Sequence, residues 1–151
     1  MFFDNRISSE SLEQGKPAHQ LCHCALRCSG RGFSGLTGSQ WTLGFAIVHR
    51  ATNAVIGGCG FKGPPGAVGV VEIAYGVAPD HRRNGYATEA AAALAAFAFG
   101  NDEVRVVRAH TFAVANDSTR VLAKCGFQAV GEVIDPEDGV VWRWELTRTT
   151  P

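Results

Sequence analysis

The sequence lacks the features that mark membrane, secreted and nucleic-acid-binding proteins. It has no unbroken apolar run of the ~20 residues that a transmembrane helix needs. Its first residues, 1–5, lack the basic-then-apolar order of a signal peptide. Because 14 basic and 14 acidic side chains cancel, no net field attracts it to nucleic acid or to an anionic membrane. We therefore expect one cytoplasmic domain over 1–151, with no nucleic-acid partner and no membrane partner.

The chain also lacks the cysteine pattern of a disulfide framework. Its five cysteines are odd in number and scattered, which argues against paired bridges. Cys22, His23 and Cys24, with His19 and Cys28 nearby, form a local cluster. This cluster has neither C-x-x-C spacing nor a second ligand pair downstream. We favour buried or fortuitous thiols over a zinc site and predict no bound metal.

Two common phosphate-binding signatures are missing as well, namely G-x-x-x-x-G-K-S/T and the G-x-G-x-x-G of dinucleotide folds. Instead, an apolar segment rich in β-forming residues ends at Pro79, which cannot donate to a sheet ladder. Arg82 and Arg83 follow, and Asn84 and Gly85 form a turn before an alanine-rich helix. Such a loop presents backbone N–H groups, the positive end of a helix dipole and two permanent charges. We interpret it as a phosphate site, with an ordinary strand–turn–helix as the alternative.

The spacing Arg82-x-x-Gly85-x-Ala87 resembles the acyl-CoA-binding signature Q/R-x-x-G-x-G/A of the GNAT superfamily of N-acyltransferases. The segment 85–90, Gly-Tyr-Ala-Thr-Glu-Ala, is similar to the branch that contains ribosomal-protein and other amino-terminal acetyltransferases. A second segment, 116–127, resembles the family pattern N-x-x-S-x-x-V-L-x-K-x-G-F. The resemblance covers 41–147, which implies a recognisable core behind a divergent or abbreviated N-terminal region over 1–40.

The chain departs from the family pattern at two positions. Counting back from Gly126, the family asparagine falls at Ala115, so Asn116 lies one place late. Many relatives carry a tyrosine that protonates the departing thiolate, and here that position is Leu122. The branch with the Tyr-Ala-Thr-Glu-Ala extension often has a serine hydroxyl near the sulfur instead, and Ser118 matches it.

The order of the predicted elements is strands, helix, strand, helix and hairpin, which indicates a mixed α/β fold with three layers. We predict strands at 41–49, 54–61, 68–77, 104–112, 128–134 and 140–147, and helices at 86–99 and 115–124. Residues 1–40 give no firm element. A helix after Ser8, a helix over 18–28 and a Gly/Ser-rich mobile loop over 29–39 are compatible with them. The resemblance implies a GNAT-like central sheet, mixed but mostly antiparallel, flanked by helices.

The resemblance also implies a reaction, the transfer of an acetyl group from acetyl-CoA to a primary amine by direct attack in a ternary complex. The amine is a protein N-terminus, a small amine or an antibiotic, and no clear acidic cluster in 1–40 or in the last hairpin narrows the choice. A free strand edge at 74–78 would pair with the pantetheine arm, and an N–H near Val77 would polarise the thioester carbonyl. The residues implied in acetyl-CoA binding are Val77, Ala78, Arg82, Arg83, Asn84, Gly85, Tyr86, Ala87, Thr88 and Asn116.

Two residues are candidates for the catalytic chemistry. Glu72 is a carboxylate on an otherwise almost apolar strand, so we expect it to take the amine proton, directly or through water. A solvated strand face is the alternative for Glu72. Ser118 is the candidate donor to the sulfur or its carbonyl, with a helix cap as the alternative. Tyr75 and His110 are interpreted as core residues, and His81 as a minor contributor to the phosphate loop.

A non-catalytic acyl-CoA-binding or sensor domain on the same scaffold is the competing hypothesis, because Leu122 and the shifted asparagine leave room for lost catalysis. Binding of coenzyme A without turnover of any amine would distinguish the two. A homodimer is expected from family habit and from the exposed strand at the end of the chain.

Overall fold

The structure, a computed structural model, describes residues 24–28, 39–42 and 44–149, which form seven strands and two helices. The strands are β1 (Cys24–Cys28), β2 (Phe45–His49), β3 (Val55–Phe61), β4 (Val70–Val77), β5 (Val106–Phe112), β6 (Gln128–Asp135) and β7 (Gly139–Thr147). The helices are α1 (Tyr86–Phe99) and α2 (Asp117–Lys124). From β3 onward every predicted element is confirmed, with ends shifted by one or two residues at most.

All seven strands belong to one sheet in the order β1-β2-β3-β4-β5-β7-β6. Every neighbouring pair is antiparallel except β4 and β5. That parallel pair needs a crossover connection, which α1 supplies. The predicted fold class, a mixed but mostly antiparallel sheet flanked by helices, is therefore confirmed.

The first strand lies where the sequence pattern was compatible with a helix. The helix expected over 18–28 is wrong for Cys24–Cys28, which pairs with β2 from Cys24↔His49 to Cys28↔Phe45. The strand expected from residue 41 begins only at Phe45, because Ser39–Trp41 form a turn of 3-10 helix. The helix expected after Ser8, most of the loop over 29–39 and the cluster of Cys22 and His23 lie outside the described residues.

Helix α1 packs closely on the sheet because alanine occupies most of its inner face. Phe97 extends its apolar surface, with its ring centroid 6.0 Å from those of Trp41 and Phe45. Full burial of a leucine such as Leu94 contributes ~1.5–3 kcal/mol to stability. The buried residues of α1 are Ala90, Ala91, Leu94, Ala95 and Ala98. Neither of the two helices described is long and apolar enough to span a bilayer.

Strand β7 shows the alternation expected for its Trp-Arg-Trp-Glu segment. Trp144 is buried, and its Nε1 donates a hydrogen bond to Oγ1 of Thr111 at 3.1 Å. Arg143 and Glu145 point to the opposite face, where they lie beside His110 and Arg108 of β5. This arrangement places charged side chains on one face of the β5–β7 pair and the core on the other.

Candidate active site

Strands β4 and β5 separate after only three residue pairs. The pairs are Val70↔Val106, Val71↔Val107 and Glu72↔Arg108. Beyond them β4 continues to Val77 along β3, and β5 continues to Phe112 along β7. The gap between the two strands opens into a cleft of about 690 Å³. A sheet that divides in this way exposes strand edges inside a concave site, which is a suitable place for a ligand.

Alternate residues of β4 direct their backbone N–H and C=O groups toward this gap. The Ala78 N–H donates to the carbonyl of Ile56 at 2.7 Å, and the Glu72 carbonyl accepts from the Lys62 N–H at 2.9 Å. These residues therefore face β3, and because backbone groups alternate along a strand, those of residues 73, 75 and 77 face the cleft. The Val77 carbonyl accepts from Nε of Arg82 at 3.0 Å, which leaves the Val77 N–H directed at the gap. The expected edge at 74–78 is thus provided by the odd-numbered residues.

The loop after β4 has the conformation that its sequence pattern predicts. Arg83 and Gly85 have positive φ values of 62° and 84°. Nδ2 of Asn84 donates to the carbonyls of His81 and Arg82 at 3.2 and 3.1 Å, which holds the turn. A Cβ placed on Gly85 would meet no atom within 4 Å, so the space in front of this glycine is open. Glycine suits the backbone conformation here and leaves that space clear for a ligand.

The loop leads into an N-terminus of α1 that carries no side-chain cap. The first helical hydrogen bond runs from the Glu89 N–H to the Gly85 carbonyl at 3.0 Å, so no helix carbonyl accepts from the N–H groups of Ala87 and Thr88. The side chain of Arg83 approaches Asp117 only at 3.7 Å, and both are well exposed, so this pair is weak. An uncapped helix start beside two arginines favours an anionic ligand.

A cluster of charged side chains lies at the narrow end of the cleft, where β4 and β5 part. Oε1 of Glu72 is 2.6 Å from Nζ of Lys62 and 2.8 Å from Nδ1 of His110. Nε of Arg143 donates to Nε2 of His110 at 3.4 Å. The side chain of Glu72 is 23% exposed, so a solvated strand face, the alternative to its catalytic role, does not describe it.

The cluster stabilises the charged forms of Glu72 and Lys62. Burial alone raises the pKa of Glu72, but the hydrogen bonds from Lys62 and His110 outweigh it, and the net pKa lies below its usual value. Burial likewise lowers the pKa of Lys62, but the hydrogen bond to Glu72 and the nearby negative charges raise it overall. At neutral pH the two residues therefore form an ion pair, and Glu72 is a weak base.

Asn116 and Ser118 occupy the first turn of α2, beside the cleft. Oδ1 of Asn116 accepts from the Thr119 N–H, and Oγ1 of Thr119 accepts from the Asn116 N–H, both at 3.1 Å. Asn116 is therefore the helix cap, and the alternative interpretation of Ser118 as the cap is wrong. Within the described part of the chain no residue hydrogen-bonds the Ser118 hydroxyl, while the Ser118 carbonyl lies 3.5 Å from the Tyr75 hydroxyl. Leu122, at the position of the family tyrosine, is fully buried.

The cleft brings together six of the residues that the sequence analysis proposed for catalysis or acetyl-CoA binding, and it includes others that were not proposed for the site. The six are Glu72, Val77, Ala78, Arg82, Asn116 and Ser118. The remaining predicted cofactor residues, 83–88, continue from the cleft as the exposed loop and the first turn of α1. Cleft residues that were not predicted include Lys62, Tyr75, His110, Asp135 and Asp138. The acidic turn between β6 and β7 was a visible signal for the last two, and it gives the last hairpin acidic groups that the sequence reasoning did not recognise.

Comparison with known proteins agrees with the family resemblance found in the sequence. A family model described as an acetyltransferase (GNAT) domain matches residues 21–128. The uncharacterized N-acetyltransferase YjdG of Bacillus subtilis (strain 168) is 34% identical over 95 residues, which cover 61% of this chain and 56% of that protein. The chain thus matches just over half the length of this curated relative. The family match begins at residue 21, so it includes β1, and it ends at residue 128, so it covers the core expected over 41–147 only as far as the start of β6.

Two solved structures share the fold. An aminoglycoside acetyltransferase, AAC(6')-Ib in complex with coenzyme A, superposes with a TM-score of 0.62 at 21% identity, covering 73% of this chain and 69% of that one. The ribosomal-protein-S5-alanine acetyltransferase from Vibrio fischeri gives a TM-score of 0.62 at 15% identity, covering 70% and 61%. At these identities the similarity establishes the fold.

Proposed function

Because the chain belongs to the GNAT family of acetyltransferases, we propose that it transfers an acetyl group from acetyl-CoA to a primary amine by direct attack in a ternary complex. The observation that supports this most is the opening between β4 and β5 beside the uncapped N-terminus of α1. A structural relative solved in complex with coenzyme A adds support for the co-substrate.

The residues of the cleft and the loop fit acetyl-CoA. The backbone groups of residues 73, 75 and 77 offer alternating donors and acceptors to the amide groups of a pantetheine arm. The loop offers the N–H groups of Ala87 and Thr88 to a pyrophosphate, and Arg82 and Arg83 add positive charge. The open space in front of Gly85 is where a phosphate can approach the backbone.

The acetyl transfer itself needs groups that stabilise negative charge on oxygen and then on sulfur. The Val77 N–H points into the gap and is our donor to the thioester carbonyl oxygen. The Ser118 hydroxyl, which no described residue engages, is our donor to the departing sulfur. Binding the amine next to the carbonyl lowers the barrier to attack through proximity and orientation, so no covalent enzyme intermediate is required.

The acceptor would enter from the side of the cleft that β5 and the β6–β7 turn form. Asp135 and Asp138 line this side together with Glu72, and their negative charge attracts a protonated amine. The pKa of Asp135 is lowered by the hydrogen bonds that its carboxylate accepts from the N–H groups of Asp138 and Glu137. The proposed acceptor remains a protein N-terminus, a small amine or an antibiotic.

Calorimetric titration with acetyl-CoA tests the proposal at its first step, followed by assay of thiol release with a panel of amines. The panel contains a short peptide with a free N-terminal alanine, spermidine and kanamycin. We expect one-site binding, a raised melting temperature and thiol release that depends on one amine class. Absence of binding at millimolar acetyl-CoA would refute the proposed acetyl transfer.

A non-catalytic acyl-CoA-binding domain is the second candidate. It is favoured by the buried Leu122 in place of the family tyrosine and by the ion pair that weakens Glu72 as a base. Saturable acetyl-CoA binding without turnover of any amine over a wide pH range would select it. A cytoplasmic location and a homodimer stay predictions, and analytical ultracentrifugation tests the second of them.

A further inference from the structure

His110 lies in the wall of the cleft with its ring held between two charged side chains. Nδ1 is 2.8 Å from Oε1 of Glu72, and Nε2 is 3.4 Å from Nε of Arg143. The side chain is 15% exposed, so the imidazole is shielded from bulk water but still reaches the cleft surface. The sequence pattern alone had placed this residue in the core, because it lies inside a strand.

The two contacts define one arrangement of protons on the ring. A carboxylate accepts hydrogen bonds, whereas a guanidinium only donates them. Nδ1 must therefore carry the proton that it donates to Glu72, and Nε2 must offer its lone pair, which accepts the long bond from Arg143. A neutral imidazole in this tautomer has a basic nitrogen on the side away from Glu72.

Glu72 is less suited than this imidazole to take a proton from an amine. Its Oε1 accepts from both Lys62 and His110, and these bonds favour the ionised carboxylate. Histidine is the side chain that most often acts as a general base, through the ring nitrogen that carries no proton. The arrangement of a nitrogen base oriented by a neighbouring carboxylate is one that other enzymes use to activate a nucleophile.

We propose that Nε2 of His110 exchanges its long bond from Arg143 for the amine substrate and accepts the amine proton, and that Glu72 is the positioning residue that holds the ring, an inference that rests on the proposed acetyl transfer. The ammonium N–H bond breaks and its proton bonds to Nε2, while the electron pair left on nitrogen attacks the thioester carbonyl carbon. The C–S bond then breaks, the thiolate leaves with the bonding pair, and a second proton passes from nitrogen to sulfur. His110 returns its proton to water, so the products are an amide, a thiol and one proton.

The ring of His110 lies between a negatively and a positively charged side chain. The groups that face this cluster are Glu72 on β4, Lys62 beyond the end of β3, Arg143 on β7, and Asp135 and Asp138 at the β6–β7 turn. Glu72 lies at Nδ1 of the ring and Arg143 at Nε2, while Lys62 is already paired with Glu72.

The variant His110→Asn separates proton transfer from structural support. The asparagine amide lies where Nδ1 was and can still donate to Glu72, but it has no basic nitrogen. We expect kcat at neutral pH to fall about 100-fold, as for loss of a general base, with unchanged calorimetric affinity for acetyl-CoA. Near pH ~11, where an alkyl amine with a pKa of about 10.4 is itself largely deprotonated, the difference from wild type should almost disappear.

Arg108→Gln is the matched control, because Arg108 belongs to another carboxylate pair on β5, with Glu145 at 2.7 Å, but does not line the cleft. Its kcat should stay within about threefold of wild type, the scale of an ordinary non-catalytic substitution. An equal loss in this control, a His110→Asn enzyme with near wild-type kcat at neutral pH, or a loss that persists at high pH would each overturn the proposal.

The proton arrangement can also be measured without any substrate. Long-range ¹H–¹⁵N correlation spectra of histidine-labelled protein, assigned by comparison with His110→Asn, should show the Nδ1–H tautomer at His110. In Glu72→Ala the Nε2–H tautomer should gain, because the acceptor at Nδ1 is gone. An Nε2–H tautomer in the wild type overturns the proposal even if acetyl transfer is found. Failure of the wild type to bind acetyl-CoA would overturn the proposed function, and this step with it.

Discussion

Gly85 gives the most direct test of the phosphate loop, because strain and ligand contact can be separated there. Its φ of 84° is left-handed, and a side chain in that region costs ~1–2 kcal/mol. A Cβ would meet no protein atom within 4 Å, so no steric clash adds to this cost. Gly85→Ala should therefore lower the melting temperature by about 2–4 °C for each kcal/mol, as in a domain of this size.

Gly139→Ala is the control, because Gly139 has a φ of 75° and equally open space but lies in the β6–β7 turn, away from the loop. Both variants should lose the same stability. Only Gly85→Ala should weaken acetyl-CoA binding, by about tenfold or ~1.4 kcal/mol, because its methyl group occupies the space a pyrophosphate would take. Gly85→Val, larger and β-branched, should abolish binding.

Differential scanning fluorimetry and calorimetric titration on the three variants and wild type give both quantities. Two results would refute the reasoning about this loop. One is an acetyl-CoA affinity of Gly85→Val equal to that of wild type. The other is an equal loss of affinity in Gly139→Ala, which would mean that stability and not contact with the ligand controls binding.

Three further predictions concern the cleft. Asn116→Ala removes the reciprocal cap with Thr119 and should lower the free energy of unfolding by roughly 0.5–2 kcal/mol in urea titrations; an unchanged midpoint would contradict the cap. Glu72→Gln tests the lowered pKa of Glu72. The stability that its ionisation contributes is complete above the unfolded pKa of about 4.3 and is lost as the pH falls through the folded pKa. The difference in unfolding free energy between wild type and Glu72→Gln should thus shrink between pH ~6 and ~3, and a constant difference would exclude the ion pair. Ser118→Ala should lower kcat by about tenfold without changing acetyl-CoA affinity, as expected for a donor that acts on the departing sulfur; a change confined to KM would assign the hydroxyl to substrate binding instead.

The parts of the fold that follow from local sequence were predictable. Helix α1 has the same bounds in the prediction and in the structure, because the alanine-rich segment between Gly85 and Gly100 strongly favours a helix and the two glycines end it. Strand β1 was missed, because Cys24–Cys28 has no strand periodicity that can be recognised and is a strand through its pairing with β2. Pairing with β2 determines its strand conformation, and the sequence of these five residues alone does not reveal β2 as the partner.

The features of the candidate site also divide into those that local sequence predicts and those that it does not. The loop around Gly85 was predictable because its chemistry depends on neighbours in sequence, a turn glycine and a helix start. The ring of His110 was not, because it meets Glu72 across 38 residues of sequence through the register of a parallel pair. Lys62 reaches the same carboxylate from the end of β3. A sequence pattern reports which face of a strand a residue occupies, but not which side chain of another strand will lie beside it.

The position of the gap explains how the two proposed substrates would meet at one point. Backbone groups of β4 lie in the plane of the sheet, so residues 73, 75 and 77 can direct theirs into the gap only because β5 has turned away after Glu72. Side chains stand perpendicular to that plane, so Glu72 and His110 project from the face opposite α1 at the same place. Under the proposed function, a thioester held along the edge would be reached by an amine arriving beside His110. If β4 and β5 stayed paired for two more residues, the edge would be occupied and the imidazole would no longer border an opening, so the early separation of this strand pair is the feature on which the proposed chemistry depends.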